Sequence, residues 1–166
     1  MTWLKWTSIV LLAPPLLFLA AGQLGALRGQ APPDLGLREG KLKAPSATPN
    51  SVSSQAALWP GHPQLEYARV QPLPAGADGR ATMRRLATLV AAMPGATVVA
   101  ARDDYLYVQF ETRWLRFVDD TEFALQPDAG SGAGVIHVRS ASRLGKGDFG
   151  VNRARIEAIR TRLAAG

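Results

Sequence analysis

The sequence predicts an α+β fold: an N-terminal membrane helix, then a single antiparallel sheet of about four strands with two helices packed on one face. Three observations predict it. No residue between Lys5 and Arg28 is charged. Four stretches between residues 96 and 140 read as strands. Two stretches of helical period, 78–93 and 148–163, bracket them.

The run TSIVLLAPPLLFLAAGQLGAL is apolar except for Thr7, Ser8 and Gln23. It approaches the roughly 20 residues that span a bilayer. Trp3 and Trp6 stand where interfacial aromatics belong. Pro14 and Pro15 would kink a soluble helix, whereas membrane helices tolerate proline better. A cleaved signal peptide competes with this reading. Lys5 would be its charged end, Ile9 to Leu19 its apolar stretch, and Ala20-Ala21-Gly22 its cleavage site. Apolar character continues through Leu24 and Leu27, which favours an uncleaved anchor over residues 6–27, with the membrane as partner. Arg28, Arg38, Lys41 and Lys43 outnumber Lys5, and the positive-inside rule would keep them cytoplasmic. A signal-like segment leaves its C-terminal side outside, and the domain is placed on that non-cytoplasmic (periplasmic) side of the membrane.

Three parts follow: an anchor or signal segment over 1–28, an extended Pro/Gly/Ser-rich tether over 29–74, and the α+β domain over 75–166. The tether has turn signals at Pro45, Pro49-Asn50, Pro60-Gly61 and Pro63 and no sustained period. In the domain, Asp78 can cap the first helix, and Met83, Leu86, Val90 and Met93 recur at 3-4-3 spacing. Pro94-Gly95 stops it. Ala96 to Ala101 is a short strand, and Asp103-Asp104 marks a turn. Tyr105 to Thr112 alternates, with Leu106, Val108 and Phe110 on one side. Leu115 to Leu125 alternates again, with Asp119 pointing with the apolar residues and Asp120 and Glu122 sharing the other face. A glycine-rich turn over 127–134 leads to a strand at Val135 to Ser140. The last helix carries Phe149, Asn152, Ile156, Ile159 and Leu163 on its inner stripe. The second sheet face, with Tyr105, Tyr107, Gln109, His137 and Arg139, is too polar for a core and is the expected binding surface.

The absence of cysteine excludes structural disulfides, thiolate metal sites and cysteine nucleophiles. The net charge is +6, but its distribution says more. Residues 103–128 carry a net −5 and residues 135–166 a net +5. Opposite blocks on neighbouring elements predict ion pairs inside the fold, not an uncompensated basic face for nucleic acid. The expected network joins Asp119, Asp120 and Glu122 to Arg139, Arg143 or Arg153. The acids match no metal-ligand spacing.

The stretch VIHVRSASRLGKGDFGVNRAR holds more polar chemistry than a connection needs. Gly145, Gly147 and Gly150 would let backbone amides approach an anion beside a helix N-terminus. Arg139 and Arg143 would add a fork, and Ser140, Ser142, Asn152 and Arg153 complete the candidate anion site. The alternative, that these groups satisfy the loop itself, weighs more. His62 and His137 have no neighbouring ligand, Ser140 and Ser142 have no nucleophile elbow, and the phosphate-loop spacing is absent. No catalytic residue, metal or cofactor is therefore assigned. The functional reading is a membrane-tethered, non-catalytic cell-envelope domain that binds an anionic small molecule, a lipid head group or a protein partner. The alternative is a hydrolase or transferase using Asp119, Asp120 and Arg139.

PNSVSSQA, DYLYVQFETRWLRFVDDTEF and VIHVRSASRLGKGDFGVNRARIEAIRTRL resemble the uncharacterised bacterial and chloroplast family catalogued as domain of unknown function 1499, over residues 50–163. Ser51 stands where some members carry a cysteine, which removes any thiol role here. The resemblance implies one compact domain and brings no activity, cofactor or catalytic residue with it.

Overall fold

The structure, a computed structural model, describes residues 2–127 and 134–165. The expected glycine-rich turn lies, but for its two ends, outside the described residues, as do the side chains of Trp3 and Trp6. In chain order the elements are α1 (Thr2–Gln23), β1 (Ser51–Ser53), a 3-10 turn (Ala56–Leu58), α2 (Leu65–Ala68), β2 (Leu73–Gly76), α3 (Gly79–Ala91), β3 (Ala96–Ala101), β4 (Tyr105–Glu111), β5 (Val118–Gln126), β6 (Gly134–Ser142) and α4 (Val151–Ala164).

Local chemistry sets several boundaries. The Asp78 carboxylate accepts from the amide of Ala81 and so satisfies one of the orphan donors that open α3. Past the end of α3, Gly95 sits at φ +75. A Cβ there would also meet the carbonyl oxygen of Glu111 at 2.2 Å, so only glycine fits. Met83, Leu86 and Val90 form the buried stripe of α3, and Ile156, Ile159 and Leu163 that of α4. Both stripes pack on one sheet face, against Leu106, Val108, Phe110, Phe123, Ile136 and Val138. Phe117, which alternation over Leu115 to Leu125 would place on the apolar side, precedes β5 and is half-buried.

The sheet is antiparallel in the order β1-β6-β5-β4-β3, and β2 also pairs with β6. It therefore has six strands, which corrects the expectation of about four. Of the two unforeseen strands, β1 comes from the segment read as a tether and β2 straddles its end at residue 74. They are three and four residues long, too short to show a period. Both lie on the outer edge of β6: β1 opposes Arg139 to Ala141, and β2 opposes Gly134 to Ile136. They supply partners that the β6 edge would otherwise lack.

A second correction concerns the N-terminus. No helix among the described residues is long and apolar enough to cross a membrane, which overturns the expected membrane helix. Pro14 and Pro15 lie inside α1 and divide its apolar run. Its last turn is drawn onto the domain: Gly22 is buried against the Leu115 backbone, and the Gln23 side-chain amide donates to the Trp114 carbonyl at 2.6 Å.

The second sheet face is also not the open surface expected. Residues 34–44, a strap, cross it. Leu42, with Leu35 and Leu37, packs on Tyr105, Tyr107 and Ala124 in a small second cluster.

Candidate functional site

Strand alternation divides the polar residues of β5 and β6 between two faces. Asp119, Thr121, Ser140 and Ser142 lie on the helix side, and Asp120, Glu122, His137 and Arg139 on the strap side. On the helix side Asn152 is fully buried. It accepts from the Ser140 hydroxyl at 2.5 Å and donates to Ser142 Oγ at 3.1 Å and to Asp148 Oδ2 at 2.9 Å. Asp148 also accepts from the amides of Gly150 and Asn152 and from the Tyr67 hydroxyl. Burial pushes the Asp148 carboxyl up, but these donors together outweigh it and hold it below the usual range. Arg155 pairs with Asp119 at 2.6 Å while its guanidinium lies 4.5 Å above the Phe110 ring. Arg153 donates to the backbone carbonyls of Arg69 and Tyr67. The loop and α4 thus clamp the chain around residues 50–69.

On the strap side, Arg143 grips Asp120 with two hydrogen bonds, at 2.7 and 2.9 Å, and Tyr107 donates to the same carboxylate at 2.5 Å. The hydrogen bonds with Asp120 hold the Arg143 guanidinium above its usual pKa. Beside this group Tyr105 donates to Glu122 Oε1 at 2.7 Å. Arg139 faces Glu122 at 3.7 Å, beyond hydrogen-bond reach, with side chains 3% and 0% exposed. Burial pushes Glu122 up, and it lowers Arg139 despite the neighbouring carboxylates. Burial, then the nearby carboxylates, pushes the hydroxyls of Tyr105 and Tyr107 up. Glu122 Oε2 and Arg139 NH1 are buried without a hydrogen-bond partner.

The strap is fastened chiefly through its main chain. Gly36 N–H donates to Glu122 Oε1 at 2.6 Å, and Arg139 Nε donates to the Ala44 carbonyl at 3.3 Å. The Gln55 side-chain amide takes both ends of one stretch: it accepts from Leu42 N–H at 2.8 Å and donates to the Gly40 carbonyl at 3.1 Å. Within the strap Arg38 and Lys41 form a hairpin pair around Glu39 and Gly40, both at positive φ. Their side chains therefore share a face.

Two clefts flank this hairpin. One, of about 520 Å³, is walled by Leu37, Ala57, Leu58 and Leu125, with Lys41 and His137 also lining it. The other, of about 360 Å³, brings Arg38, Lys41 and the Lys43–Asp34 ion pair beside Trp59. His137 lies 3.1 Å from Ser54 Oγ through Nδ1 and 2.7 Å from Gln126 Oε1 through Nε2. Burial lowers its pKa, so the ring is neutral at neutral pH.

A family model described as protein of unknown function (DUF1499) matches residues 41–163. The chain belongs to the DUF1499 family. No curated protein and no solved structure matches it. The DUF1499 match holds both polar faces in full but begins inside the strap, so Asp34 to Gly40 precede it.

Against this geometry, the residues expected to bind an anion do not converge in the DUF1499 domain. Ser140, Ser142 and Asn152 form the helix-side network, Arg153 caps backbone carbonyls beside it, and Arg139 and Arg143 belong to the strap side. Asp119 is likewise separated from Asp120 and Arg139 by the sheet itself. Among the acids, Asp120 meets Arg143, Glu122 faces Arg139, and Asp119 meets Arg155, a residue the charge blocks did not single out. Among the described residues no group of three His, Asp or Glu is placed to hold a metal ion. Sequence reasoning missed the cleft, since Ser54 and His137 are 83 residues apart and only the pairing of β1 with β6 brings them together.

Proposed function

We propose that this DUF1499 protein is a non-catalytic binding domain for a small amphipathic molecule with an anionic head, seated at the strap hairpin. One observation carries the reading. Arg38 and Lys41 stand side by side, make no ion pair among the described residues, and open onto clefts with apolar walls. An apolar pocket with a few convergent polar groups is the usual form of a small-molecule site. Two adjacent cations at its rim select a carboxylate or phosphate head. The exposed Glu39 between them works against a bare anion, which leaves most of the binding energy to the apolar part.

Titration calorimetry on the full chain tests this with decanoate, decyl phosphate, decanol and inorganic phosphate. Decanoate and decyl phosphate bind, decanol binds at least tenfold more weakly, and inorganic phosphate does not register. The double variant Arg38→Gln, Lys41→Gln brings decanoate down to the level of decanol. Equal binding of decanol and decanoate to the unaltered chain, or no heat from either, refutes the reading.

A further inference from the structure

We propose that the sheet face beneath the strap is a groove for a leucine-bearing peptide of a partner protein, and that residues 34–44 occupy it as an internal stand-in for that peptide.

The recognition chemistry is that of a peptide main chain. Glu122 accepts an N–H, Arg139 donates to a C=O, and the Gln55 amide does both at once. Side chains that read backbone groups hold a segment with little regard to its sequence. Specificity comes from the leucines, because Leu35, Leu37 and Leu42 fill the apolar ground between Tyr105, Tyr107 and Ala124.

The strap does not use everything the groove offers. Glu122 Oε2 and Arg139 Nη1 face each other at 3.7 Å as an ion pair, and each remains buried without a hydrogen bond, one an acceptor and one a donor. Buried polar groups in folded proteins almost always have hydrogen-bond partners, and leaving one without is destabilising. An acceptor beside a donor is what the N–H and C=O of one extended residue, which point to the same side, require. A peptide that supplies both is a better complement than the strap.

The origin of the two parts agrees with this. Every residue of the groove lies inside the DUF1499 match, whereas Asp34 to Gly40 precede it. The groove also holds two carboxylates, two guanidiniums and two phenols under cover. A face that only had to seat a strap is more stable with apolar residues of similar volume. Because the strap is tethered, its effective concentration at the groove is in the millimolar range, and it suppresses a competing peptide accordingly.

The test keeps the full chain. Gly36→Pro removes the N–H that Glu122 accepts and cannot adopt the φ of +107 found there, so it loosens the strap without touching the groove. The probe is a fluorescein-labelled peptide copying residues 32–45, and the control peptide has serine in place of its three leucines. Fluorescence anisotropy shows the probe binding Gly36→Pro at least tenfold more tightly than the unaltered chain. Adding Gln55→Leu removes most of that gain, and the control peptide binds neither. Equal binding to both chains, or equal binding of the control peptide, overturns the proposal. A Gly36→Pro chain that dimerises by exchanging straps also overturns it, since the occupant is then a second copy. Should Gly36→Pro fail to fold, hydrogen exchange on the unaltered chain decides the matter. Excess unlabelled peptide must speed exchange at the Gly36 and Leu42 amides, and unchanged rates reject the groove. Gly36 and Gln55 also line the clefts of the amphiphile, but the amphiphile is tested on a chain with both residues and the strap unaltered, so either reading can fail while the other stands.

Discussion

Arg143 and Asp120 form a two-pronged ion pair across the end of the sheet, with side chains 6% and 2% exposed. Asp120 lies inside β5, and Arg143 is the first residue after β6. The pair therefore fixes where the following loop leaves the sheet, and Tyr107 completes it from β4. Arg143→Gln leaves a buried carboxylate with only the tyrosine hydroxyl for company. Breaking such a pair from one side costs about 3–5 kcal/mol. Urea unfolding measures it. The double variant Arg143→Gln, Asp120→Asn recovers part of the loss, because no charge is then stranded. A loss below about 1 kcal/mol, the range of exposed pairs, would mean that water reaches Asp120 freely.

Some of this was legible in the chain, and the reason is local. Met83, Leu86 and Val90 show a helix because its period is a property of consecutive residues, and Leu106, Val108 and Phe110 show a strand for the same reason. β1 and β2 were not legible, since three or four residues next to Pro and Ser carry no period. The segregated charges announced ion pairs but not all the partners. Alternation already placed Asp119 with the apolar residues, hence under the helices, where only a base on α4 can meet it; Arg155 is that base. Alternation also forbade Arg139 and Ser140 from sharing a site, which the candidate anion site overlooked. The strap was beyond reach because its fastening runs through main-chain groups of residues 36–44, and these have no sequence signature.

Asp148 makes stability depend on acid. Its donors hold the folded carboxyl below the ordinary 3.8. The stabilisation is complete above that value and is lost as pH falls through the lower, folded one. Asp148→Asn gives up charge-assisted bonds to the Gly150 and Asn152 amides, a capping role worth about 1–2 kcal/mol at neutral pH. Chemical denaturation from pH 7 to pH 2 should show the gap between the two proteins narrowing below pH about 4. A gap that stays constant to pH 2 would mean that the carboxylate charge contributes nothing.

Ile156 tests the core directly. It is fully buried on the inner stripe of α4. Replacing it with alanine removes apolar burial and leaves a cavity that the sheet cannot fill, at a cost of about 2–5 kcal/mol. The cost appears as a lower denaturation midpoint with an unchanged slope. A loss under about 0.5 kcal/mol would move that face of α4 out of the core.

Phe149 offers the opposite case. The sequence placed it on the inner stripe of the last helix. The structure places it just before α4, at φ +53 and 104% exposed, so it pays backbone strain and gains no burial. The left-handed conformation costs a residue with a side chain about 1–2 kcal/mol. The Gly150 and Asn152 amides donate back across Phe149 to the Asp148 carboxylate and hold the chain in that turn whatever residue occupies it. Phe149→Asn keeps a side chain, tolerates the left-handed region and should raise stability by about 0.5–1 kcal/mol. Phe149→Gly should gain less, because part of the relief is offset by the added freedom of the unfolded chain. Phe149→Ala keeps the strain and should change stability by no more than about 0.5 kcal/mol. Thermal unfolding of the three variants separates the two contributions. A gain for Asn and Gly with none for Ala assigns the cost to the backbone. A loss above about 1 kcal/mol in all three would show instead that the ring packs against the domain in solution.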